Sequence, residues 1–252
     1  MLDVQLLDPQ DAAGSAAWDA YVLAAPKATF FHRAGWQRVL RTAFGHGTYF
    51  LKAQRDGRLV GVLPLGHVKS LLFGNSLASL PFAVYGGVVA DDDEAAAALE
   101  AEADRLARQL GVQHLEYRNV EPRHADWPKQ DLYVTFRKEI LPEEEANMLA
   151  IPRKQRAMVR KGIKNGLTSH ADEGVDRFFA LYADNVHRHG TPAMPKRYFQ
   201  ALRDVFGAEI PHYFRHLYAE GTESVAPRVE YAAGLDGPGT RCVVSIIGCT
   251  GD

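Results

Sequence analysis

The densest set of side chains able to do chemistry lies between residues 153 and 164. Arg153, Lys154, Arg156, Arg160, Lys161 and Lys164 are six cations with no acid among them. At helical spacing, Arg153, Arg156, Arg160 and Lys164 share one face, and guanidinium forks match phosphate oxygens two at a time. Such a strip would dock a phosphate-bearing substrate: a nucleotide-linked precursor, a coenzyme or tRNA. The same pattern describes a solvated helix face, and both readings stay open. No aromatic residue interleaves with the cations, which speaks against a stacking platform for single-stranded nucleic acid.

A second cluster, Asn185–Pro192, places His187, Arg188, His189 and Thr191 at the end of an expected helix. A helix C-terminus favours the imidazolium form, and so anion binding; the alternative is simple capping by His189 and Gly190. Lys196, Arg197 and Tyr198 open the next expected helix. Cations there gain nothing from the macrodipole, so substrate contact is one reading; for Tyr198 the other is core packing. Phe82 and Tyr85 beside Gly86-Gly87 combine an aromatic wall with backbone that a ligand can approach closely, or else form a packed turn. Trp36 and His32 default to structural roles.

These residues need elements to hold them. Leu2, Val4 and Leu6 alternate as a half-buried strand would. Ser15 is expected to cap a helix through Leu23, and a second helix is expected over Ala34–Phe44 with Gly45 as its stop. Asp56-Gly57 between the apolar runs Tyr49–Gln54 and Leu59–Val68 signals a hairpin. Strands near Ser76–Leu80 and Val84–Ala90 follow. The helix between Asp91 and Leu110 starts on four acids, Asp91–Glu94, and stops at Gly111. Strands are then expected over Val112–Tyr117 and Leu132–Ile140, and near the end over Arg241–Gly248.

Composition excludes several classes. Of 252 residues, 46% are hydrophobic and 24% charged, an ordinary globular balance. With 29 Lys/Arg against 31 Asp/Glu the net charge is −2, which argues against sequence-specific DNA binding. The only cysteines are Cys242 and Cys249, so neither a disulfide framework nor a cysteine zinc site is expected. No apolar stretch approaches the length of a membrane span, and the acidic N-terminus is not a secretory signal; a cytoplasmic protein is expected. Phosphate-loop, dinucleotide-binding and nucleophile-elbow motifs are missing from the chain, as is a His-Glu-x-x-His pair.

Offset by 162 residues, Trp36, Leu40, Arg41, Phe44 and Gly45 fall on Tyr198, Leu202, Arg203, Phe206 and Gly207. The elements before them correspond as well: Leu167–His170 to the first strand, Val175–His189 to the first helix and Lys196–Phe206 to the second. The match points to duplication. The plan expected is a first unit over 1–140, a basic helical connection over 141–166, and a second unit over 167–252 that stops short of the first unit's central helix.

The order strand, two helices, three or four strands, helix, strand resembles the GNAT acyltransferase fold. More specifically, the chain resembles the FemAB-like aminoacyl/N-acyltransferases, in particular the FemAB-related proteins of exosortase (PEP-CTERM) and exopolysaccharide systems. The likeness rests on Phe31-His32 with Trp36, Phe44-Gly45-His46, Val60-Gly-Val-Leu-Pro-Leu65 and Leu72-Phe-Gly74. It continues through Leu80-Pro-Phe82 with Tyr85-Gly-Gly87, Ile151-Pro-Arg-Lys-Gln-Arg156, Asn185–Pro192 and Pro195-Lys-Arg-Tyr-Phe199, and covers about residues 1–207.

The resemblance implies an α/β (α+β) protein of tandem GNAT-like units with mixed sheets, the second incomplete. It implies transfer of an acyl or aminoacyl group to an amine of a cell-wall or other cell-envelope precursor. Acyl-CoA or aminoacyl-tRNA would be the donor, with no tightly bound cofactor and no metal. His187 and Tyr85 would act on the reacting groups. Arg153, Arg156, Arg160, Lys164, Arg188, Lys196, Arg197, Tyr198 and Trp36 would bind substrate. After Gly207 the chain departs from the family pattern, and a truncation or shifted frame is expected there. The alternative function is a non-catalytic substrate-binding module or an inactive copy.

Overall fold

The computed structural model describes residues 1–70, 74–129, 140–165, 168–171, 174–207, 215–218, 230–233 and 243–246. Leu72, Phe73, both cysteines and nearly all of the expected strand Leu132–Ile140 lie outside the described residues. The chain divides into two units, Met1–Pro128 and Lys129–Asp252.

The first unit is built on a mixed sheet. Its elements in order are β1 (Leu2–Leu6), α1 (Ala12–Ala24), a single 3-10 turn at Phe30–His32, α2 (Trp36–Phe44), β2 (Gly47–Arg55), β3 (Arg58–Ser70), β4 (Gly74–Ser79), β5 (Val89–Ala90), α3 (Asp93–Leu110) and β6 (His114–Glu116). The strands are ordered β1-β2-β3-β4-β6, with β5 paired to β3. All pairs are antiparallel except β4 and β6, which run parallel through the α3 crossover.

Side-chain alternation in the strands puts helices on both sheet faces. Leu51, Ala53, Leu63, Leu65 and Leu77 form one core with Ala95, Leu99, Ala103 and Leu106 of α3. Phe50 faces the other way and stacks on Trp18 of α1, ring centroids 5.3 Å apart. Local chemistry sets the ends of α3. Asp92 caps it by accepting from the Ala95 amide at 2.9 Å, Arg55 of β2 holds the Asp92 carboxylate, and Gly111 ends the helix in the left-handed region at φ 60°.

Several expectations are corrected. Asp11, not Ser15, caps α1, because its carboxylate reaches the Gly14 amide at 2.8 Å. The strand expected over Val84–Ala90 shrinks to Val89–Ala90, since residues 81–88 leave the sheet edge. The helix expected from Ala34 begins at Trp36.

The second unit contains α4 (Glu144–Ala150), α5 (Arg153–Lys164), β7 (Thr168–Ala171), α6 (Asp176–Arg188), α7 (Lys196–Phe206), β8 (Arg215–Tyr218), β9 (Glu230–Ala233) and β10 (Val243–Ile246). Its sequence β7-α6-α7-β8, with β7 and β8 antiparallel, repeats β1-α1-α2-β2, where β1 and β2 are antiparallel too. At the 162-residue offset, Trp36, Val39 and Leu40 of α2 match Tyr198, Ala201 and Leu202 of α7, and all six are buried. The described elements of the second unit thus follow the order of the first unit's opening elements. No helix among them is long and apolar enough to cross a membrane.

Candidate functional site

Open α/β sheets bind ligands beyond the carboxyl ends of parallel strands, and in the first unit that position falls after β4 and β6. Their register ends at Ala78↔Glu116. Beyond it the strands part, and the Arg118 amide donates to Ser79 Oγ at 2.7 Å instead of to a backbone carbonyl. Residues 80–88 fill and cover the opening. Arg118 anchors them: its guanidinium donates to the Ala83 carbonyl at 2.5 Å, and its own carbonyl accepts from the Gly86 and Gly87 amides at 3.2 and 3.1 Å. On the other flank, His32 Nε2 donates to the Gly87 carbonyl at 2.9 Å.

Gly86 and Gly87 are therefore explained by chain packing and not by ligand approach. Both are buried. A Cβ at Gly86 would lie 2.5 Å from Leu80 Cβ, and one at Gly87 2.8 Å from Asn119 Cα. Their amides are already donated. Asn119 Oδ1, buried beside Gly87, has no hydrogen-bond partner among the described residues.

The covering segment holds two bulky residues in the left-handed region, Leu80 at φ 49° and Phe82 at φ 66°. Each costs about 1–2 kcal/mol relative to ordinary backbone, a strain that concentrates at functional loops. Pro81 between them presses onto β3 at Gly66, where a Cβ would stand 2.6 Å from the proline ring. Phe82 is thereby laid over the end of α2. It stacks on Phe44 at 4.2 Å and on His46 at 5.6 Å between centroids, and stays 39% exposed. Partial burial, reinforced by the neighbouring His67, holds the His46 imidazole below its usual range, so it is a neutral proton acceptor at ordinary pH. His46 was legible in the sequence only as a member of a motif, and Phe82 as part of an aromatic wall beside Gly86-Gly87. Their meeting depends on the fold of the 80–82 segment.

Tyr85 lies half-buried on the same segment. Trp36 does not face a ligand. It is fully buried, donates its indole N–H to the Phe30 carbonyl at 3.2 Å and belongs to the core, because the amphipathic stripe of α2 points it at the sheet.

The remaining candidates belong to the second unit. His187 and Arg188 are exposed on the last turn of α6, Arg188 paired with Asp184 at 3.1 Å. The turn is closed by backbone: the His189 amide donates to Asn185, Gly190 to His187 and Thr191 to Val186. Lys196 pairs with Asp176 at the opposite end of α6, at 2.5 Å, and the Met194 amide donates to Tyr182 Oη at its middle. The segment after α6 therefore runs back along the helix. Eleven residues at 1.5 Å per residue separate Asp176 from His187 by about 16 Å, so the structure does not bring His187 and Arg188 together with Lys196. Arg197 is exposed, whereas Tyr198 is buried against Phe199, centroids 5.3 Å apart.

The basic strip is a helix, as its spacing implied, but its membership differs. Arg156 turns back and donates to the carbonyls of Leu149 at 2.8 Å and Ile151 at 3.0 Å, closing the α4–α5 corner. Arg153, Arg160 and Lys164 stay exposed, together with Lys154 and Lys161. No cluster among the described residues is suited to hold a metal ion.

No protein-family model and no curated protein matches the chain. Among solved structures it is similar to FemX, with a TM-score of 0.59 and 19% identity over 81% of this chain and 54% of that one. The molecule is thus a mixed α/β protein with the FemX fold, as the sequence motifs implied, and it spans about half the length of the FemX structure. A ribosomal-protein-alanine N-acetyltransferase from Brucella melitensis biovar Abortus 2308 aligns at 19% identity over 53% of this chain and 99% of its own, TM-score 0.35. An aminoglycoside acetyltransferase from an uncultured soil metagenomic sample aligns at 19% over 52% and 99%, TM-score 0.36.

Proposed function

We propose that this chain is an N-acyltransferase or aminoacyltransferase of FemAB-like type. It would act on an amine of a cell-envelope or exopolysaccharide-related substrate in the cytoplasm. The observation that carries the reading is the FemX-like fold over 81% of the chain. The parting of β4 and β6 after Ala78 and Glu116, with the strained 80–82 backbone beside it, supports it.

The chemistry requires few groups. The acceptor ammonium loses a proton to a base, and the free amine nitrogen attacks the donor's carbonyl carbon. The tetrahedral intermediate collapses with cleavage of the carbon–sulfur bond of an acyl-CoA or the carbon–oxygen bond of an aminoacyl-tRNA. The thiol or ribose hydroxyl leaves with a proton. Positioning and proton transfer dominate such a reaction, and acyl-CoA or aminoacyl-tRNA is spent as substrate, not held as a resident cofactor. His46 is the proton acceptor in this reading, with Phe44 and Phe82 excluding water from it and Tyr85 on the covering segment.

A thermal-melt screen with acyl-CoA and aminoacyl-tRNA, followed by a transfer assay with amine acceptors, tests the proposal. A donor should stabilise the chain, and His46→Ala should lower kcat about 100-fold or more with KM little changed. Failure of every donor to stabilise the protein would overturn it. A binding module without turnover is the second reading, favoured by the separation of His187 from Lys196. Stabilisation by an acceptor alone, without transfer, would establish it.

A further inference from the structure

Where β4 and β6 part, two polar side chains lie under two glycines. Ser79, the last residue of β4, is 0% exposed, and Gly86 lies flat on it: a Cβ there would stand 2.9 Å from the Ser79 carbonyl oxygen. Asn119, just past β6, lies under Gly87, and its buried Oδ1 has no hydrogen-bond partner among the described residues. A buried acceptor left unpaired works against the arrangement that buries it. The covering chain is lightly held. Residues 83–87 bury no large apolar side chain: Ala83 is small, Val84 is 39% exposed, Tyr85 is half-buried, and two glycines follow. Hydrogen bonds to Arg118 and His32 hold their backbone. At one end, Leu80 and Phe82 sit in the left-handed region, which bulky side chains disfavour. At the other, Val89 is fixed by pairing with Val62.

We propose that residues 83–87 form a flap that swings away from the sheet end between Leu80–Phe82 and Val88, uncovering the Ser79 hydroxyl and the Asn119 carboxamide for a polar ligand. Opening breaks the bonds to Arg118 and His32 but surrenders little apolar burial. It also lets Asn119 Oδ1 find a donor and frees Phe82 from its left-handed backbone. A segment with few apolar contacts opens locally while the core stays folded. Both uncovered side chains can donate and accept hydrogen bonds, and they stand at the carboxyl ends of two parallel strands, where open α/β sheets take ligands. The two glycines have a role in this device: without a Cβ, the flap lies flat on Ser79 and Asn119 when closed. The inference stands on the closed geometry and does not depend on acyl transfer.

Thiol labelling of the full chain tests it. In a Cys242→Ser/Cys249→Ser background, Ser79→Cys should react with an aromatic disulfide reagent about a hundredfold faster, or more, than Ala53→Cys, which is equally buried in the core of the same sheet. Low urea should leave the first rate unchanged and raise the second, because global unfolding exposes far more surface. Arg118→Ala removes the guanidinium bond to Ala83 and should speed labelling of Ser79→Cys about tenfold. Arg123→Ala, which takes the same charge from the Glu100 pair, should leave it unchanged. If Ser79→Cys melts early, amide exchange of the unaltered chain takes its place. Gly86 and Gly87 should then exchange at one common rate, about a hundredfold or more above the β2–β3 ladder. Labelling no faster than that of Ala53→Cys, or exchange no faster than in the ladder, overturns the proposal. So does equal acceleration by Arg118→Ala and Arg123→Ala.

Discussion

His32 shows how a single side chain can tie a fold to pH. The Thr29 amide donates to its Nδ1 at 3.0 Å, so Nε2 carries the proton that reaches Gly87, and the ring is 1% exposed. Burial outweighs these hydrogen bonds and lowers its pKa. The unfolded chain therefore takes up a proton below about pH 6.5 where the folded chain does not. Stability should fall as pH drops through that point, by up to about 1.4 kcal/mol per pH unit. His46, also held low, adds in the same direction. His32→Gln should flatten the fall in Tm between neutral and mildly acidic pH by about one proton's worth, and an unchanged slope would contradict this assignment. Arg156 and Arg160 look alike in sequence, and the structure separates them. Arg156→Ala removes bonds to two carbonyls and should cost on the order of 1 kcal/mol in denaturant unfolding; Arg160→Ala should stay within about 0.5 kcal/mol of the parent.

Elements whose signals are local were read well. The α7 bounds Lys196–Phe206, the hairpin turn at Asp56-Gly57, and the acidic start and Gly111 stop of α3 all depend on residues near each other in sequence. The Phe30–His32 turn, β8 and β9 were not anticipated, since each is short and gains its place from packing or pairing with distant chain. The strand expected over Val84–Ala90 shortened to Val89–Ala90 for a related reason. Pro81 and Phe82 pack on Gly66 and Phe44, and the backbone of Gly86 and Gly87 is bonded to Arg118 and His32 instead of to a strand ladder. Gly66→Ala tests that packing: its Cβ would collide with the rigid Pro81 ring, at a cost of about 1–3 kcal/mol, and donor binding should weaken with it. Gly45→Ala, where the left-handed φ of 72° is strained but nothing lies within 4 Å, should cost about 1 kcal/mol and spare binding.

Across the whole molecule, the first unit carries a complete core of its own, from Leu51 through Ala107. A chain ending at Pro128 should therefore unfold in one cooperative transition by circular dichroism; a broad, non-cooperative melt would show that the division at Lys129 does not mark an independent fold. The 162-residue correspondence could be read beforehand because core positions of α2 and α7 keep the same residue classes, and hydrophobic burial constrains class at buried sites. The site was harder to see, because an imidazole and two phenyl rings brought together by a proline's contact with a glycine leave no mark at any fixed spacing.

Residue order was therefore sufficient for most helices, for the acidic start and Gly111 stop of α3 and for the basic run, all of which arise from interactions between near neighbours or from a periodic apolar face. Why Gly87 is a glycine, and that His46 rather than His187 meets an aromatic cover, came from contacts between residues tens of positions apart. Such contacts follow from how packed layers bring distant chain together, and no local pattern encodes them.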